Sequence, residues 1–75
     1  MTTIQRYHQS AWTVREAIKA GASTTAAIRL EWPTVRDVVG RRRLIPERQF
    51  AEDIGGNLPA VRSALNRLRQ EDAAE

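Results

Sequence analysis

Gln49-Phe-Ala-Glu-Asp-Ile-Gly-Gly-Asn-Leu-Pro-Ala-Val-Arg-Ser-Ala-Leu65 holds two helical patterns separated by a pair of glycines. Before the glycines, Phe50, Ala51 and Ile54 fall on one face of a short helix that begins near Pro46, with Glu47 close to its positive N-terminal end. After them, Asn57 is a good N-cap, Pro59 is tolerated in a first turn, and Val61, Ala64, Leu65 and Leu68 repeat at helical spacing. Gly55-Gly56 supplies a tight turn, because glycine takes left-handed backbone angles at little steric cost. A helix-turn-helix needs a short supporting helix, a small residue at the helix contact, a sharp turn and a second helix with a polar outer face. With Ala51 as the small residue, the stretch from about Pro46 to Arg69 meets each requirement. The second helix, about 58–69, carries Arg62, Ser63, Asn66, Arg67 and Arg69 on its polar side, facing solvent or a major groove.

Working back toward the N-terminus, Val35, Val38 and Val39 form an apolar stripe behind Pro33, which opens that helix in its first turn; Gly40 or the triple Arg41-Arg42-Arg43 ends it. Ser23 caps a segment over Thr24 to Glu31 that reads as helix, although Ile28-Arg-Leu-Glu-Trp32 also alternates as a half-buried strand does. No second strand pattern is present to pair with it, which favours helix. The first helix is expected from Ser10 or Thr13 to Ala20, with Thr13 and Glu16 at capping-box spacing, Val14, Ala17 and Ile18 on one face, and Gly21 just past its end. Residues 1–9 lack periodicity and are expected to form a flexible arm, and 71–75 an acidic tail. The expected architecture is therefore all-α: a small domain of four to five helices over 10–70, ending in the helix-turn-helix.

Seventy-five residues make one domain, and a chain of this size buries only about 60% of its unfolded surface, so a dimer or a continuation of the chain is expected to support it. The absence of cysteine removes disulfides and thiolate metal sites and favours a reducing compartment, while the lone His8, expected to be exposed, cannot complete a metal site. No stretch approaches the roughly 20 apolar residues that span a bilayer, and the N-terminus lacks the apolar run of a secretory signal. We expect a soluble, cytoplasmic protein without metal, cofactor or membrane partner. Catalysis is not expected, because no Ser-His-Asp arrangement, glycine-rich phosphate loop or evident pair of carboxylates is present. Glu52-Asp53 reads as a solvated helix edge, and Trp12 and Trp32 as anchors of the core or of an interface.

The net charge is +3, but residues 40–69 hold seven arginines (Arg41, Arg42, Arg43, Arg48, Arg62, Arg67 and Arg69) against Glu47, Glu52 and Asp53. Arginine's planar fork suits bidentate contacts to phosphate and to guanine edges. The expected function is sequence-specific binding of double-stranded DNA by a transcriptional regulator. A homodimer is expected because one short helix reads too few base pairs for useful specificity. Arg41, Arg42, Arg43, Arg48 and Arg69 are candidates for phosphate, and Arg62, Ser63, Asn66 and Arg67 for base edges, with Asn57 at the start of the same helix.

Ile45-Pro-Glu-Arg-Gln-Phe-Ala-Glu-Asp-Ile-Gly55 followed by Ala60-Val-Arg-Ser-Ala-Leu-Asn-Arg-Leu68 resembles the winged helix-turn-helix domain of the GntR family of bacterial repressors. That family reads L-P-S-E-R-x-L-A-x-x-L-G-V-S-R-x-T-V-R-x-A-L-x-x-L. The likeness covers about residues 44–70 and implies operator contacts by Arg48 and Arg62. The chain departs from the pattern in lacking a Ser between Pro46 and Glu47, in placing Leu58 where the family has another DNA-contacting Arg, and in having Pro59 and Ala60 where small hydroxyl residues are common. Residues 71–75 are too few for the two-stranded wing that follows in the family. Leu58 and the missing wing speak for the competing expectation, a protein-interaction module that binds another regulator, as adaptor or antagonist, through an exposed apolar helix face.

Overall fold

In the computed structural model, which describes residues 2–74, the apolar positions of the quoted stretch are buried as their spacing requires: Phe50, Ala51, Ile54, Val61, Ala64, Leu65 and Leu68 all enter the core. Among the described residues there are five helices, α1 (Thr3–Lys19), α2 (Thr24–Leu30), α3 (Trp32–Val38), α4 (Glu47–Asp53) and α5 (Leu58–Ala74). The only β-type pairing among them is an isolated bridge between Val39 and Ile45. α5 packs against α2 and α4, and α1 packs against α2, α3 and α4. Their common core joins Tyr7, Ala11 and Val14 of α1 to Ile28, Trp32 and Val35, and these to the apolar stripe of α5.

The local signals explain most boundaries. Ser23 caps α2 by accepting a 3.1 Å bond from the amide of Ala26, and Ile28 to Leu30 is helix rather than strand. Glu31 ends α2 and begins α3, whose first turn holds Pro33. Asn57 Oδ1 accepts from the amide of Ala60 at 2.9 Å and so starts α5. The α4–α5 turn is a Schellman closure in which the amide of Gly56 reaches the carbonyl of Ala51 at 3.0 Å, and Gly55 sits at φ +69°, where an L side chain is strained.

The expected arm is helical instead. α1 starts at Thr3, and its capping box is Thr2 with Gln5, not Thr13 with Glu16. Thr13 lies inside α1 and returns its hydroxyl proton to the carbonyl of Gln9 at 3.1 Å. Tyr7 is the physical reason: it is buried, one turn before Ala11 and two before Val14, so the core extends the helix toward the N-terminus. The expected tail is likewise the end of α5, held because Glu71 and Asp72 meet cations of α2 and α3. Met1 and Glu75, the outermost residues of the expected arm and tail, lie outside the described residues. Trp32 is a core anchor, but Trp12 is 64% exposed on the outer face of α1. Asp53 is not a solvated edge, since it accepts the hydroxyl proton of buried Tyr7 and a 2.9 Å bond from Gln49.

Candidate nucleic-acid interface

The segment between α3 and α4 is built to project arginines. Val39 is fully buried and Ile45 half-buried, and their bridge is sealed by bonds from Gly40 N to Ile45 O (2.9 Å) and from Ile45 N to Val38 O (2.8 Å). The intervening Arg41, Arg42 and Arg43 are therefore squeezed outward, and all three are exposed. Arg42 adopts φ 64°, a left-handed conformation that costs a non-glycine residue about 1 kcal/mol. Arg43 donates to the carbonyl of Asp37 at 3.3 Å, near the C-terminus of α3, where a cation is favoured.

This loop faces α5 across a basic cleft with two adjoining hollows. The larger, of about 550 Å³, is walled by Gly40, Arg41, Arg43 and Glu47 on one side and by Arg62, Asn66 and Arg69 of α5 on the other. The smaller, of about 350 Å³, continues past Arg42 and Pro46 to Arg48. Six arginines thus line a surface with one carboxylate. That carboxylate is 20% exposed and bridges two of them, with Arg62 Nε 3.3 Å from Oε1 and Arg69 Nη1 3.2 Å from Oε2. Arg69 also donates from Nη2 to Val39 O at 3.4 Å. Gly40 permits that reach: its φ is +142°, and a Cβ there would stand 2.9 Å from Arg69 Nη2. Arg62 remains 57% exposed, and Glu47 meets it at Nε, with no Nη hydrogen bond among the described residues.

The expected contact set therefore separates. Arg41, Arg42, Arg43, Arg48, Arg62, Asn66 and Arg69 come together in the cleft, and Ser63 is exposed one residue further around α5. Arg67 does not join them. At about 100° per residue it lies ~140° around the helix from Arg62, where it pairs with Glu71 at 3.4 Å. Glu71 in turn accepts from Arg29 of α2 at 2.9 Å. Asn57 has its side-chain oxygen committed to the cap of α5. Leu58 is half-buried against the core, so the place where the GntR pattern has an arginine contributes apolar packing.

Sequence reasoning missed Glu47 as part of this site, assigning it only to the helix N-terminus; its spacing to Arg62 lies across two helices and gives no local signal. A larger concavity, of about 880 Å³, lies on α1 between Gln5, His8, Gln9, Trp12, Thr13 and Glu31, but it gathers no cations. Chemistry rather than size singles out the basic cleft. Among the described residues no group of three or more His, Cys, Asp or Glu side chains is placed to hold a metal, and no helix is long and apolar enough to cross a membrane. No family model, curated protein or solved structure matches the chain.

Proposed function

We propose that the protein is a sequence-specific DNA-binding module, a transcriptional regulator of GntR-like helix-turn-helix type that docks α5 in a major groove. The observation that carries this reading is the cleft in which six arginines from the 40–44 loop, α4 and α5 face one carboxylate. A polyanion neutralises such a surface, and the exposed α5 face beside it offers Arg62, Ser63 and Asn66 for base edges. Arg48 and Arg62, the two contacts that the GntR resemblance implies, open on the same hollow, which supports the resemblance. The module acts by binding rather than catalysis, and as a homodimer, because a single helix covers too short a site. The lack of cysteine supports a cytoplasmic setting.

A second reading rests on Trp12: an exposed indole beside an open hollow on α1 is an anchor of the kind that protein interfaces use. A titration of duplex DNA over a salt series, with a light-scattering mass measured in parallel, separates the two. DNA binding requires log affinity to fall against log salt with a slope of several units, since about 0.9 counterion is released per phosphate contact. A folded protein with no complex at low salt rejects the DNA reading in favour of the interaction module.

A further inference from the structure

Resting on the DNA-binding reading, we infer that Glu47 is a positioning residue for specificity: braced by Arg69, it fixes the guanidinium of Arg62 so that its tip can read a base. An unrestrained arginine loses much rotamer freedom when it makes a bidentate contact, and a residue that holds it beforehand removes part of that cost. Glu47 is placed to do so. It is half-buried at the first turn of α4, and Arg69 holds its second oxygen at 3.2 Å while reaching over Gly40 to Val39 O. Its first oxygen meets Arg62 at Nε, an N–H that an end-on contact to guanine through the two Nη groups does not use. The same carboxylate places a negative charge within a surface meant for phosphate, so it opposes binding in general while favouring the correct site.

These two effects have opposite signs, and that sets the test. A preferred duplex is selected from a randomised pool with the wild-type protein. Affinities of wild type, E47Q, E47A, R62A and the E47Q/R62A double variant are then measured on that duplex and on random duplex, with thermal unfolding of each. The Arg62 Nε–H resonance of each protein retaining Arg62 is followed by NMR. The expected result is that E47Q tightens random binding yet lowers discrimination by about tenfold, the size of one bidentate base contact. E47A does so more strongly, and E47Q costs no further discrimination once Arg62 is alanine. Equal gains on both duplexes make Glu47 a plain counter-charge and overturn the inference; equal losses with a lowered melting temperature make it structural and overturn it too. An Arg62 Nε–H resonance that E47A leaves unmoved removes the contact itself. A wild type that shows the resonance shift but binds no DNA overturns the DNA reading, and the positioning role falls with it.

Discussion

On one flank of α5, Arg62 and Arg69 share the single carboxylate of Glu47 while Arg41, Arg42, Arg43 and Arg48 gather around them. On the other, three arginines meet three acids: Arg29 and Arg67 share Glu71, Arg36 meets Asp72 and Asp37, and Asp72 also accepts the indole N–H of Trp32 at 2.7 Å. The residue type is the same and the local balance differs. The matched flank ties the end of α5 to α2 and α3; the unmatched one keeps an excess of positive charge. A count of arginines along the chain cannot distinguish these situations, because Arg62 and Arg69 of one flank and Arg67 of the other come from the same helix.

The comparison presumes that α5 holds both flanks in register, and the largest expected effect breaks that support. Leu65 is fully buried at the centre of the α5 stripe. Leu65→Ala should cost about 2–5 kcal/mol through lost burial and the cavity left behind. Urea denaturation measures it; a loss below about 1 kcal/mol would mean that α5 is held by its ion pairs rather than its core.

The two flanks are next set against each other by single substitutions. Arg62→Ala should cost about 1–3 kcal/mol on a preferred duplex and relax discrimination there. Arg67→Ala, 71% exposed and paired with Glu71, should change affinity for either duplex by no more than ~0.5 kcal/mol. Titration of both variants on preferred and random DNA checks this. The reverse order would move the interface to the other side of α5.

Much of this was legible in the sequence wherever a signal is local. Val61, Ala64, Leu65 and Leu68 announce α5 by their spacing, Ser23 and Asn57 announce caps, and Gly55 announces the turn. The start of α1 was also written there, in Thr2 with Gln5 and in the spacing of Tyr7, Ala11 and Val14, but mostly polar neighbours hid it. Arg67 is absent from the cleft because five residues carry a side chain well past the face of Arg62, a separation that a list of polar positions on α5 does not express. What no local pattern contains is pairing at a distance. Glu71 and Asp72 read as a tail because their partners, Arg29, Trp32 and Arg36, precede them by 36 to 42 residues. Asp53 read as solvated because Tyr7 lies 46 residues away.

That last contact sharpens the comparison from beneath, because α4 carries Glu47 at one end and Asp53 at the other. Burial, and then the hydrogen bond and charge of Asp53, push the Tyr7 phenol far above its ordinary value of 10.0. The folded protein therefore keeps this proton at a pH where the unfolded chain releases it. Stability from Tyr7 is fully present below about pH 10 and declines as pH rises further. Tyr7→Phe should cost about 1–2 kcal/mol near neutral pH, by leaving Asp53 with Gln49 alone. It should also remove that alkaline slope. Denaturation series at neutral and alkaline pH, run on both proteins, test the two parts separately; an unchanged slope in Tyr7→Phe would assign it to other groups.

The smallest effect concerns an arginine of the cleft that is not engaged with a carboxylate. Arg42 is exposed at the tip of the 40–44 loop and makes no ion pair among the described residues. It lies in a connecting loop rather than on α5, so it is suited to phosphate and not to a base edge. Arg42→Ala should therefore weaken preferred and random duplex alike and lower the salt slope by about one, with discrimination unchanged. Folding stability should hardly move, because alanine and arginine bear a similar penalty at the left-handed φ of 64°. On the opposite flank, Arg67→Ala provides the control: its charge is already answered by Glu71, so the slope should stay within error of the wild type. Equal slope changes in the two variants would mean that the acidic residues at the end of α5 give up their cations to DNA. The boundary between the matched and unmatched flanks would then dissolve on binding.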